Sequence, residues 1–184
     1  MIYLEEHEIV ERLRNKDNEC FIEILNQYKR KVISLCYAYT EDYFEAEDLS
    51  QEVFITLYNN IAKFREECSL STYIYKISIS KALDYTRKRS LKGFLTGLFN
   101  VNIERKECDI DEKNYIRQCI NSLPRDLKEA VVLYYYIGLS QKEISGVLNV
   151  SERSVEGRIY RAKQKLRIEI QREDVTVCKK SGMM

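Results

Sequence analysis

The stretch SQKEISGVLNVSERSVEGRIYRAKQKLR, residues 140–167, decides the fold of the C-terminal half. Ser140-Gln141-Lys142-Glu143 has the form of a capping box, a Ser N-cap with Glu three residues on. Gly138, just before it, is suited to end a preceding helix. The short helix that follows puts Ile144, Val147 and Leu148 on one face. Asn149-Val150-Ser151 then reads as a tight turn, with Ser151 placed to cap the next helix. In that helix Val155, Ile159, Ala162 and Leu166 recur at helical spacing and make a single apolar stripe. The opposite face carries Arg153, Ser154, Gly157, Arg158, Arg161, Gln164 and Lys165. Residues 152–167 hold six Lys+Arg against two Glu. A face of this kind also suits a solvated bundle helix. Its coincidence with a short capped helix and a tight turn favours a DNA-binding helix-turn-helix. Arginine pairs bidentately with guanine edges, and small Ser and Gly residues let a helix sit deep in the major groove. Gly157 in mid-helix costs roughly 1 kcal/mol relative to Ala, and close backbone approach to DNA is a reason to tolerate that cost.

Working outward, the rest of the chain also reads as helical. Among 184 residues there are one proline and six glycines, and no clear period-two alternation. The patterning predicts helices at about 5–14, 18–39, 43–61, 71–89, 112–122, 124–137, 140–148 and 152–170. Between 90 and 111 the pattern fails. Gly93 and Gly97 stand close together, and Glu104 to Glu112 is mostly charged. The expected architecture is therefore all-α: two small helical domains, 1–89 and 112–172, joined by a flexible linker at 90–111, with a tail at 173–184.

Charge divides along the same line. Residues 1–89 carry 13 Lys+Arg against 16 Asp+Glu, net −3, whereas residues 114–172 carry 11 against 6, net +5. Such asymmetry points to nucleic-acid contact on the basic side. No run reaches the roughly 18 apolar residues of a membrane span. The acidic N-terminus lacks the order of a signal peptide, so a cytosolic protein is expected. The six cysteines include no C-x-x-C pair, and His7 is the sole histidine. Neither a metal site nor a disulfide framework is indicated. Cys178 is the thiol expected to be most exposed. No nucleophile–base pair or phosphate loop is visible. No enzyme, cofactor or small-molecule substrate is expected.

Two N-terminal helices carry further candidate surfaces. Around 46–58, Ala46, Leu49, Val53 and Leu57 form a core stripe. The far face holds Glu47, Asp48, Gln51 and Glu52 with Ile55 among them, bordered by Phe54 and Tyr58. An apolar residue set in an acidic face suits protein docking, although an ordinary solvated face reads the same way. In the helix at 71–89, Ile74, Ser78, Ala82 and Tyr85 face the core. Tyr73, Lys76, Ser80 and Arg87 line another side. The terminal Arg87-Lys88-Arg89 complements the helix dipole. The aromatic and basic residues together suit stacking of unpaired bases beside a phosphate track, with Phe64 upstream as a second stacking surface.

These motifs, taken in order, resemble the extracytoplasmic-function sigma factors, small members of the primary sigma family of bacterial RNA polymerase. Ala46-Glu47-Asp48-Leu49-Ser50-Gln51-Glu52-Val53-Phe54 is similar to the family's A-E-D-L-x-Q-E-x-F. Phe64, Ser71 through Ile77, Asp84 and Arg87 follow, then Leu123-Pro124, Gly138-Leu139-Ser140, Glu143-Ile144, Ser154-Val155 and Arg161-Ala162-Lys163. The likeness covers about residues 18–168. The chain departs from the pattern at Tyr73, where Trp is usual, at Ser80, where Asn is common, at Glu156, where Lys or Arg is frequent, and at Ser145-Gly146.

The resemblance implies a role for each segment. Asp48, Gln51, Glu52, Phe54 and Ile55 would dock on core RNA polymerase. Phe64, Tyr73, Lys76, Ser80, Lys81 and Arg87 would bind and open the −10 element of promoter DNA. Arg153, Ser154, Glu156, Gly157, Arg158 and Arg161 would read the −35 element. It also implies an anti-sigma factor as partner, in many members membrane-anchored. A stand-alone helix-turn-helix regulator and a helical adaptor are the alternatives, and neither requires the 46–54 segment.

Overall fold

The structure is a computed structural model that describes residues 6–98 and 112–181, with side chains for 6–90 and 115–171. Every element in it is helical. Among the described residues there are two compact units, one of 6–98 with 146–149 and the other of 112–145 with 150–181.

The N-terminal unit contains α1 (Glu6–Arg14), α2 (Asn18–Thr40), α3 (Tyr43–Asn60), a short 3-10 turn (Ile61–Lys63) and α4 (Leu70–Leu98). Local chemistry sets the starts. The Asp17 carboxylate accepts from the Cys20 amide at 3.1 Å, and Asp42 accepts from the Glu45 amide at 3.0 Å. Between α2 and α3 the chain reverses at Glu41, a left-handed residue (φ 61°) whose N–H donates to the Tyr37 carbonyl. The expected stripe Ala46, Leu49, Val53 and Leu57 is buried, and α2, α3 and α4 pack on one another around it. Burial of each large apolar side chain contributes roughly 1.5–3 kcal/mol.

The C-terminal half of the chain forms α5 (Glu112–Asn121), α6 (Arg125–Val131), α7 (Gln141–Leu148) and α8 (Glu152–Ser181). Ile120, Leu123, Leu127, Val131 and Ala162 form its core, with Tyr136 and Leu166 packed against them. Val155, Ile159 and Ala162, from the stripe read in the sequence, are buried as expected.

Three helical extents differ from the sequence reading. The helix expected to stop at 89 continues as α4 to Leu98, through the first nine residues of the expected linker. Two glycines cost only about 1 kcal/mol each in a helix interior, too little to end a helix already propagating from a packed core. The rest of the expected linker, 99–111, lies outside the described residues. The helix expected to end near 170 continues as α8 to Ser181. The segment expected as one helix at 124–137 changes at Val132 from α6 into a π-helical turn through Ile137. That wider turn leaves Val132, Leu133 and Ile137 buried and Tyr135 exposed. It ends at Gly138, whose φ of 78° is a left-handed conformation that glycine adopts at little cost.

Candidate functional site

The helix-turn-helix forms as its residue types dictate. The Ser140 hydroxyl accepts from the Glu143 amide at 3.2 Å, and the Glu143 carboxylate accepts from the Ser140 amide at 2.8 Å and its hydroxyl at 2.7 Å. This is the reciprocal capping box. Asn149 takes the left-handed conformation of the turn (φ 54°), and the Ser151 hydroxyl caps α8 by accepting from the Ser154 amide at 3.2 Å.

The outer face of α8 is less uniform than its sequence suggests. Arg153 and Glu156 are exposed at its N-terminal turn. Arg158 has a side chain only 18% exposed, and its Nε lies 3.8 Å from the Asp126 carboxylate of α6. Arg161 is exposed but lies along the helix, its Nε donating to the Gly157 carbonyl at 3.2 Å. Beyond the adjoining backbone of its own helix, a Cβ placed on Gly157 would meet no atom of the described residues within 4 Å. Packing inside this chain therefore does not require glycine there. Asp126 was not anticipated from sequence, because only the fold brings α6 beside Arg158.

On α3, Asp48, Gln51, Glu52 and Ile55 are exposed, Ile55 at 59%. Phe54 is buried at 5% exposure, so the sequence reading of it as a bordering surface residue is corrected. It forms the floor of a groove of about 510 Å³ between α2 and α3, lined also by Phe21, Leu25, Gln51, Ile55 and Tyr58. The α2 half of this groove was missed. Its signal is the spacing of Asn18, Phe21, Leu25 and Lys29, which puts all four on one helical face.

On α4, Ser80 and Arg87 are exposed, while Tyr73, Lys76 and Lys81 are half-buried. Lys81 Nζ lies 3.3 Å from the Glu52 carboxylate, and Arg87 lies 3.2 Å from Asp84. Phe64 was expected to offer an open stacking face, and here the structure corrects the sequence. It is 6% exposed, and its ring stacks on Tyr73 at 4.5 Å with 19° between planes. One face of Tyr73 is thereby occupied from within the protein.

Cys20, Cys36 and Cys119 are buried free thiols, and burial pushes Cys36 up to about 12. Cys68 is free and half-buried, while the Cys178 side chain lies outside the described residues. Among the described residues no cluster of His, Cys, Asp or Glu is suited to a metal ion.

Comparison with known proteins places both halves of the chain. The family description Sigma-70 region 2 matches residues 24–91, and Sigma-70, region 4 matches residues 113–166. The ECF RNA polymerase sigma factor SigW of Bacillus subtilis is 30% identical over 173 residues, which span 86% of this chain and 92% of SigW. The chain belongs to the ECF RNA polymerase sigma factors. As a sigma factor it directs promoter-specific initiation of transcription. The fold agrees. The solved structure of CnrH in complex with the cytosolic domain of CnrY has a TM-score of 0.72 at 19% identity, covering 90% of this chain and 97% of that one. The sigma factor RpoE in complex with the anti-sigma factor NepR from Bartonella quintana has a TM-score of 0.65 at 19% identity, covering 82% and 96%. Among the described residues no helix of this sigma factor is long and apolar enough to cross a membrane.

Proposed function

We propose that the two units divide the work of initiation as follows. The α3 face of Asp48, Gln51, Glu52 and Ile55, with the groove floored by Phe54, docks on core RNA polymerase. Tyr73, Lys76, Ser80, Lys81 and Arg87 of α4, with Phe64 behind Tyr73, capture the −10 strand. Arg153, Ser154, Glu156, Gly157, Arg158 and Arg161 of α8 read the −35 element. Residues 1–89 and 112–172 act as the two domains, 90–111 as the connection and 173–184 as a tail. The observation that carries the docking assignment is an exposed Ile55 in an acidic and amide face over an apolar groove.

Each unit alone binds DNA weakly. Held together by polymerase, the second contact becomes effectively intramolecular and the two weak sites reinforce each other. Bases that leave the stack are trapped on α4, and their capture favours strand opening. Its membership of the ECF sigma factors supports the reading that it acts as a cytoplasmic initiation factor and not as an enzyme. The presence of an anti-sigma factor in the RpoE–NepR complex supports a partner of that class for this chain. Run-off transcription with purified core polymerase tests the proposal. Promoter-specific transcripts are expected only when both units are present on one chain. Tight duplex binding without polymerase, and no specific transcript with it, would overturn it in favour of a stand-alone regulator.

A further inference from the structure

α1 precedes the segment 24–91 that matches the sigma family description, and no motif of the sequence reading fell on it. In the structure it grips one loop. Between the 3-10 turn and α4, residues Phe64 to Ser69 have no regular structure, and Glu66 is held at a positive φ of 57°. A non-glycine residue persists there when its surroundings impose it. The surroundings are α1. Arg14 Nη1 lies 2.9 Å from one Glu66 carboxylate oxygen, and His7 Nδ1 lies 2.8 Å from the other. Arg14 Nη2 also donates to the Phe64 carbonyl, and Glu11 in turn holds Arg14. At the far end of the loop the Glu6 carboxylate accepts from the Leu70 amide, the first residue of α4. Two ends and the strained middle of one loop are thus tied to one short helix.

That loop carries Phe64, whose ring is stacked on Tyr73. We propose that α1 is a brace for capture of the −10 strand, with Arg14 as the positioning residue that fixes Phe64 and Glu66, and through them the Tyr73 ring. The inference rests on the assignment of Tyr73 to the −10 strand. A planar guanidinium suits the task, because it bonds a carboxylate and a backbone carbonyl at once in fixed directions, as an ammonium does not. Only a group held to within about half an ångström presents a reliable stacking surface.

The test uses the full chain with core polymerase, on one promoter supplied both as duplex and with the −10 region already unpaired. Strand opening is followed by 2-aminopurine fluorescence, and polymerase affinity is measured separately. Arg14→Ala is expected to slow opening of the duplex about tenfold, the equivalent of one charge-assisted hydrogen bond. It should also flatten discrimination between −10 sequences on the unpaired template. Polymerase affinity should stay within about twofold of the parent. Arg14→Lys should recover only part of the loss. Glu66→Gln, which keeps the shape and removes the charge, should show the same pattern even if Arg14→Ala fails to fold. Opening and discrimination unchanged in both variants would overturn the brace. So would an equal loss of polymerase affinity, which marks a merely structural residue. Tyr73→Ala separates the two assignments. If it opens DNA normally, the assignment of Tyr73 itself fails. If it loses opening while Arg14→Ala and Glu66→Gln do not, the brace alone fails.

Discussion

Glu52 of α3 and Lys81 of α4, assigned to polymerase and to promoter DNA respectively, form an ion pair at 3.3 Å. The face proposed for docking and the face proposed for the −10 strand are therefore adjacent edges of one surface of the N-terminal unit. Both side chains are substantially solvated, at 59% and 32% exposure. A pair of this kind contributes only about 0.2–1 kcal/mol. A double-mutant cycle of Glu52→Ala and Lys81→Ala, read by urea unfolding, should give a coupling in that range. Large losses of polymerase binding by Glu52→Ala, or of strand opening by Lys81→Ala, would then report contacts with the partners and not damage to the fold. A coupling above about 2 kcal/mol would contradict this reading.

Ile55 offers a sharper test of docking. It is exposed, so a polar replacement removes nothing from the core. Ile55→Asp should leave stability within about 0.5 kcal/mol. Combined with Gln51→Ala, it should lower core polymerase affinity by the 2 kcal/mol or more of an interface hot spot. Duplex binding by α8 should be unaffected. Co-purification with polymerase at parental levels would refute the assignment of this face. Phe54→Ala would be a poor test of the same idea, because truncating a buried aromatic costs about 3–5 kcal/mol of stability.

What the sequence made legible follows from the range of the interactions. The capping box at Ser140 and Glu143, the turn at Asn149 and the stripe on α3 are all set by residues within a turn or two of one another, so periodicity and cap chemistry suffice. The extension of α4 past Gly93 was hidden because helix ends reflect a balance of small terms. The π-turn at Val132–Ile137 has no residue signature of its own. The missed site features are pairings between distant segments: Phe21 and Leu25 with Phe54, Asp126 with Arg158, and Arg14 with Glu66. Phe64 shows the limit most clearly, since an aromatic residue in a loop reads equally as a stacking surface or as a wedge, and only Tyr73 against its face settles which.

Gly157 separates stability from DNA reading. Apart from the adjoining backbone of its own helix, nothing among the described residues lies within 4 Å of where its Cβ would be. Gly157→Ala should therefore stabilise the C-terminal unit, by up to about 1 kcal/mol. If the α8 backbone approaches DNA closely there, the same change should weaken binding to the −35 element. Thermal unfolding and duplex binding, measured on the same variant, should move in opposite directions. Gains in both would show that Gly157 is not at the interface.

Arg153 and Arg158 should differ in kind. Arg153 is exposed, whereas Arg158 is oriented by Asp126 at 3.8 Å. An oriented guanidinium is the better base reader, and a free one the better phosphate contact. Arg158→Ala should cost about 1–3 kcal/mol on the preferred −35 sequence and relax specificity at one position. Arg153→Ala should weaken all sequences alike and reduce the salt slope by about one. The reverse pattern would exchange the two roles.

The brace at α1 also carries a pH signature. His7 is raised above its ordinary value of 6.5, first by its hydrogen bond to Glu66 and then by the charge of Glu66, with Glu11 adding to the rise and Arg14 opposing it. Glu66 is lowered below its ordinary 4.5, first by the hydrogen bond from His7 and then by the charges of His7 and Arg14. A histidine raised on folding adds stability that is fully present below pH 6.5 and is lost as pH rises through its folded value. A carboxylate lowered on folding adds stability that is present above pH 4.5 and is lost as pH falls through its folded value. The two windows overlap between pH 4.5 and 6.5. Unfolding temperature should therefore be compared between the parent and His7→Gln across pH. The difference should be largest in that interval and fade as pH rises through the raised value of His7. Because both groups are solvated, added salt should shrink it. A difference that stayed constant across the whole range would mean that His7 acts through packing or a neutral hydrogen bond, and that Arg14 alone supplies the charge that holds Glu66.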